Sequence, residues 1–157
     1  MRRRAFLITV VVLLLAACGG SGDGGSRLSA DAYRAKLVQI KQEAATAQAH
    51  VALGLQAKSI SELRQKLEAF ATDTGNIGDE VAKLNPPQNA EEANTELADG
   101  LHETARATRA ASAQIAKLHS AREAISYLEH SPANRKGAHQ VDEALTRLKQ
   151  LGYTTGS

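Results

Sequence analysis

From Ser29 onward, apolar side chains recur at spacings of three and four, and no segment alternates with the two-residue period of a half-buried strand. Tyr33, Leu37, Ile40, Ala44, Ala47, Val51 and Leu55 form one continuous stripe, with Ser29 placed to cap the helix it predicts. Gly54 or the residues just after it end that helix, and Ser59-Ile60-Ser61-Glu62 is a capping box opening the next. The second stripe runs through Ile60, Leu63, Leu67, Phe70, Thr74, Ile77, Val81 and Leu84. Its middle is weak, because Gly75 and Gly78 sit there and a helical glycine costs about 1 kcal/mol against alanine, which predicts a kink or break near Gly75.

Asn85-Pro86-Pro87-Gln88 is the clearest turn, since proline cannot continue the intrahelical hydrogen bonds. Asn89 follows as a capping residue with Glu92 three positions on. The third stripe takes Ala93, Leu97, Leu101, Thr104, Thr108, Ala111, Ile115 and Leu118, and Ile125 and Leu128 let the same helix run to Leu128. Ser131-Pro132 opens a last helix carrying Ala138, Val141, Leu145, Leu148 and Leu151, with Gly152 as its terminal cap. Four helices joined by short turns predict an all-α, antiparallel up-down four-helix bundle over residues 29–157. The seams also follow a heptad-like spacing, but proline and glycine cut them into bundle-length pieces, which favours a monomer over an oligomeric coiled coil.

The amino terminus has a different pattern. Arg2, Arg3 and Arg4 precede an apolar run from Ala5 to Ala17 broken only by Thr9, the layout of an export signal. The run falls short of the ~20 apolar residues that a membrane-spanning helix needs. Gly19-Gly20-Ser21-Gly22-Asp23-Gly24-Gly25-Ser26 follows Cys18 directly, a composition that cannot bury a core. With Arg27 and Leu28 it predicts a linker over 18–28 with a root-mean-square span on the order of 15–20 Å.

Leu15-Ala16-Ala17-Cys18 resembles the lipobox of bacterial lipoproteins. The resemblance implies cleavage between Ala17 and Cys18, removal of residues 1–17 as a signal peptide, and lipidation of Cys18. Two acyl chains supply the two hydrophobic signals that stable anchoring needs. Cys18 is also the only cysteine, so no intramolecular disulfide competes for it. The expected location is therefore the extracytoplasmic face of a cell membrane, held by lipid.

Removing residues 1–17 takes away three arginines and no acids, leaving sixteen basic against seventeen acidic residues and turning a net +2 into −1. A chain so balanced has no electrostatic reason to bind nucleic acid or to carry a polybasic membrane patch. Residues 18–157 contain no tryptophan or methionine, and their aromatics are Tyr33, Phe70, Tyr127 and Tyr153. That favours an alanine-rich, closely packed core over a roomy aromatic pocket.

The five histidines, His50, His102, His119, His130 and His139, raise the question of a metal site. Di-iron bundles use Glu-x-x-His on facing helices, and that motif is absent. The nearest substitute is Asp99 with His102, one helical turn apart, for which a solvated surface is the simpler reading. Gly100-Leu101-His102 resembles part of the Gly-x-His-x-x-Glu element of imelysin-like exported proteins, but Ala105 stands at the acidic position and none of that family's function carries over. Copper(I) is disfavoured without methionine. No Gly-x-Ser-x-Gly elbow and no Walker-type loop occurs, so neither hydrolysis nor nucleotide binding has a motif.

Val81-Ala82-Lys83-Leu84-Asn85-Pro86-Pro87, Leu97-Ala98-Asp99-Gly100-Leu101 and Leu148-Lys149-Gln150-Leu151-Gly152-Tyr153 are similar to segments of small helical lipoproteins of high-GC Gram-positive bacteria. The resemblance implies the fold and the place and brings no active site. The expectation is a non-enzymatic, membrane-tethered envelope lipoprotein without a cofactor, whose helical module binds an envelope protein or a ligand. The alternative is a metal-binding envelope protein using helix-borne histidine and carboxylates. A contiguous apolar groove or an acidic pocket on the surface would argue for a ligand.

Overall fold

The computed structural model describes residues 26–130 and 133–153. The expected signal peptide over 1–17, with Ala17, Cys18 and most of the expected linker, therefore lies outside the described residues, as do Ser131 and Pro132. Every described element is helical: α1 (Ala30–Gly54), α2 (Ile60–Lys83), α3 (Glu91–Ile115), α4 (Ala121–His130) and α5 (Ala133–Gln150), with a single 3-10 turn (Gln88–Ala90) ahead of α3. Ser29 caps α1 by accepting from the Ala32 N–H at 3.2 Å. The box at Ser59 forms as well: Ser59 Oγ accepts from the Glu62 N–H, and the Glu62 carboxylate accepts from the Lys58 N–H.

Three of the sequence expectations need correction. The third helix stops at Ile115 and does not run on to Leu128; Ala121–His130 is a separate helix. Ser120 is the cause, because its Oγ accepts from the Glu123 N–H while the Glu123 carboxylate accepts from the His119 N–H, a second reciprocal cap. Asn89 does not cap α3, whose first residue follows Ala90 without a side-chain cap. The Asn89 carboxamide oxygen instead accepts from the Tyr153 hydroxyl at 2.8 Å. Finally, α2 is not broken at Gly75 and remains helical from Ile60 to Lys83.

Of the two glycines in the middle of α2, Gly78 is crowded and Gly75 is not. A methyl group at Gly78 would stand 2.7 Å from the His102 ring of α3, so the absence of a side chain leaves room for the imidazole beside Asp79. The same device recurs between α3 and α5, where Gly100 faces the Val141 backbone and Gly137 faces Thr104. Helix α3 is thus flush against two neighbours, α2 and α5, while α1 packs chiefly on α2. The main core joins Tyr33, Leu37 and Ile40 of α1 to Ile77 and Val81 of α2, Leu97 and Leu101 of α3, and Ala144 and Leu148 of α5. A second cluster at the other end holds Leu63, Leu67, Ile115 and Ala124, with Leu118, Ile125 and Leu128 packed against it. Ile125 and Leu128, expected to extend the stripe of α3, are half-buried residues of α4, and Leu118 lies in the turn before it.

The buried face of α5 also differs from its sequence stripe. Ala144 and Leu148 are buried, Val141 is half-buried, and Ala138, Leu145 and Leu151 are exposed. Ala138 and Leu145 lie on the side of α5 that faces an open groove.

Gly137→Ala should lower unfolding stability, because the new methyl would meet the Thr104 backbone nitrogen at 2.6 Å, and overpacking of that kind costs about 1–3 kcal/mol. Gly75→Ala meets nothing closer than 3.6 Å and should gain up to about 1 kcal/mol from helix propensity alone. Denaturant midpoints of both variants check this; equal effects would remove the close-approach explanation.

Candidate functional site

Between α1 and α5 the wall of the molecule stays open, and a groove of about 490 Å³ lies there. Leu37, Ile40, Ala44, Ala45 and Ala47 of α1 form one wall, and Ala138, Val141 and Leu145 of α5 form the other. Phe70, Thr74 and Ile77 of α2 with Leu97, Leu101 and Thr104 of α3 make the floor. Small side chains leave the depth: alanines at 44, 45 and 138 stand where longer residues would fill the seam. The polar groups in the lining are few: Lys41, Gln48 and Asp142 on the walls, Thr74 and Thr104 on the floor. Apolar lining with sparse polar groups is the usual make-up of a small-molecule site, and the volume falls in the usual range of about 300–1,000 Å³.

One end of the groove is closed by a clasp between the start of α1 and the residues after α5. Gly152 adopts φ +85°, and the Tyr153 N–H then donates to the Leu148 carbonyl while the Gly152 N–H donates to that of Lys149. This is the glycine-dependent Schellman ending, and it turns the Tyr153 ring back onto the core. The ring meets Tyr33 edge-on, with centroids 5.2 Å apart at 78°, and Arg34 lies over it at 5.7 Å while its Nε donates to the Gly152 carbonyl. An aromatic pair of this geometry is worth about 0.5–1.5 kcal/mol beyond its burial.

The Tyr33 hydroxyl donates to the Asn94 carboxamide oxygen at 3.0 Å, and the Asn94 NH₂ donates to the Val81 carbonyl at 3.0 Å. Both side chains are buried, so this chain of bonds ties α1, α2 and α3 through groups that would be costly to leave unpaired. Burial, and then the neighbouring Tyr153, push the Tyr33 phenol well above its ordinary pKa of 10.0.

The sequence-predicted pair is placed differently. His102 bonds through Nε2 to Asp79 of α2 at 3.0 Å, while Asp99 lies exposed on α3. Asp99 and His102 do share a shallow depression of about 300 Å³ with Asn94, Glu91 and the Asn85-Pro86 turn. His50 of α1 pairs with Asp73 of α2 at 3.2 Å. His139 faces Glu143 one turn along α5, and His119, in the turn before α4, faces Glu123. Among the described residues no three histidine, cysteine or acidic side chains converge as a metal site would require. The α3–α5 face also carries a polar groove of about 520 Å³ with Glu96, Asp99, Asp142 and Glu143, where Arg147 binds Glu92 and Glu96.

Sequence reasoning missed the groove because it assigned Ala44, Ala138 and Leu145 to closed seams. The signal was present in α5, whose apolar positions span more than one face. Among the described residues no helix is long and apolar enough to cross a membrane. The chain matches no protein-family profile, no curated protein and no solved structure.

Tyr33→Phe should cost about 1–3 kcal/mol, because the Asn94 oxygen is then buried without its donor. The raised phenol also sets a pH dependence: the unfolded chain loses the Tyr33 proton above about pH 10 while the fold retains it, so stability is complete below that pH and falls above it. Between about pH 8 and about pH 11 the wild type should lose more stability than Tyr33→Phe, measured by urea unfolding. Parallel losses would disprove the buried-phenol account.

Proposed function

We propose that this protein is a membrane-tethered lipoprotein of the cell envelope whose helical domain binds an apolar ligand in the groove between α1 and α5. In this reading the four long helices form an antiparallel up-down bundle that is closed on three seams and left open on the fourth, with α4 as an appended cap. The single observation that carries the reading is the open seam itself. A bundle that existed only to be stable would close α1 on α5 and bury Leu145, which is 40% exposed. At about 25 cal/mol per Å² of apolar area, leaving such a wall in water forgoes stabilisation that a ligand can supply.

The lipobox at Leu15-Ala16-Ala17-Cys18 supports a diacylglyceryl group on Cys18 and placement on the extracytoplasmic face of the cell membrane. The make-up of the groove supports a binding role over a catalytic one. Its lining offers no histidine or cysteine and a single carboxylate, Asp142, with no base beside a nucleophile. The domain captures; the lipid keeps it at the surface.

Two experiments address the two halves. The full chain carrying Cys18→Ser should bind an environment-sensitive apolar dye such as anilinonaphthalene sulfonate saturably at one site, and Ala138→Trp should weaken that binding at least ~10-fold, about 1.4 kcal/mol, with helicity unchanged. Dye binding indifferent to the tryptophan would rule out the groove. In cells, Cys18→Ala should abolish incorporation of labelled palmitate, and persistent labelling would rule out the anchor.

A further inference from the structure

Resting on the groove as a ligand site, we infer that its occupant is one acyl chain of a membrane-derived single-chain lipid, held non-covalently. The dimensions come first. The lining extends along α1 from Leu37 to Gln48, about 16 Å at 1.5 Å per residue, so 490 Å³ spread over that length leaves a mean cross-section on the order of 30 Å². An α-helix with its side chains, about 10 Å across, occupies on the order of 80 Å². The groove is therefore long and narrow, suited to a chain and too thin to take in a helix. By volume it is roughly three times the ~150 Å³ cavity that holds one benzene, room for on the order of 18 carbon atoms.

The chemistry of the lining agrees. Phe70 is the only aromatic in it, so a planar ligand finds no pair of rings to stack between. Lys41 and Asp142 balance each other, and the remaining walls are aliphatic, so a neutral flexible polymethylene chain meets no uncompensated charge. At the clasp end Tyr33 and Leu148 are buried and Tyr153 is nearly so, which leaves no solvated place for a polar head. The methyl end of the chain therefore points at the clasp, and the head emerges toward Gln48, Thr104 and Ala138.

The protein's own anchor is the rival source of an acyl chain, and the number of its chains argues against it. The Leu28 N–H donates to the Asn85 carbonyl at 2.7 Å, which fixes the polypeptide leading back to Cys18 beside the start of α1, the closed end of the groove. A groove with room for one chain does not take both acyl chains of Cys18. They are also both needed in the bilayer for stable anchoring.

The test is a displacement series on the full chain carrying Cys18→Ser, using straight-chain carboxylic acids of increasing length, below their micelle concentrations, against the bound dye. Burial of each methylene at about 0.8 kcal/mol predicts about a fourfold gain in affinity per carbon, levelling off once the groove is full, near 18 carbons at most. Ala45→Trp and Ala138→Trp, on opposite walls, should each bring the plateau to shorter chains; either one that still folds suffices. If the dye binds in the groove but no acid displaces it, the acyl-chain proposal is overturned while the groove remains a site. If the dye itself fails to bind, both fall together. Displacement by an amphipathic helical peptide and not by the acids would overturn the proposal in favour of a protein partner. A lipidated wild-type protein, purified from membranes, that takes up no acid where Cys18→Ser takes up one equivalent, with no free lipid extracted from it, would overturn the membrane source and assign the groove to the anchor.

Discussion

The close approach of α3 to its two neighbours is the constraint on which the rest of the molecule depends. Gly78 accepts the His102 ring, Gly100 accepts Val141, and Gly137 accepts Thr104, and at each place even a methyl group would be crowded. With α3 seated between α2 and α5, helix α1 finds its surface on α2. The distance left between α1 and α5 is then decided by the side chains on that seam. Alanine at 44, 45 and 138 cannot bridge it, so an apolar floor is left beneath a gap.

A groove of this kind needs something to stop it from collapsing or fraying, and the clasp does both. The left-handed Gly152 aims Tyr153 at Tyr33, while Asn94 holds the Tyr33 hydroxyl and reaches back to the end of α2. Because Asn94 and Tyr33 are buried, the alternative to their bonds is an unpaired polar group in the core, which makes this end rigid. The opposite end of the molecule is held differently, by the aliphatic cluster under α4. Among the described residues the buried Ser112 hydroxyl has no hydrogen-bond partner.

How much of this was legible in the sequence follows from the range of each interaction. Helix class, the Ser29 and Ser59 caps, the turn at Asn85-Pro86-Pro87 and the ending at Gly152 depend on neighbours within a few residues, and all were readable. The Ser120-Glu123 cap was equally local and was overlooked because the apolar spacing carries on across it. Asn89 looked like a cap by the same local rule, yet Tyr153, 64 residues away, holds its side chain. Gly75 and Gly78 both read as weakness, and the contact that reverses the meaning of Gly78 lies on another helix. The groove was least legible of all, since periodicity marks Ala44, Ala138 and Leu145 as apolar without saying whether a partner covers them. His102 was found as the notable histidine, but its carboxylate partner is Asp79 and not Asp99. Cys18, which only the lipobox singles out, lies outside the described residues.

The most direct test of the account is methyl-resolved NMR of the ligand-free protein, with a soluble paramagnetic agent added. The open seam predicts strong relaxation of the Ala45, Ala138 and Leu145 methyls and no cross-relaxation between the alanine methyls of α1 and those of Ala138 or Leu145, while the methyls of Leu63 and Ile115 stay protected. Protected methyls along α1 and α5 with dense contacts between them would show the seam closed, and the account of this protein as a binding module would lose its foundation.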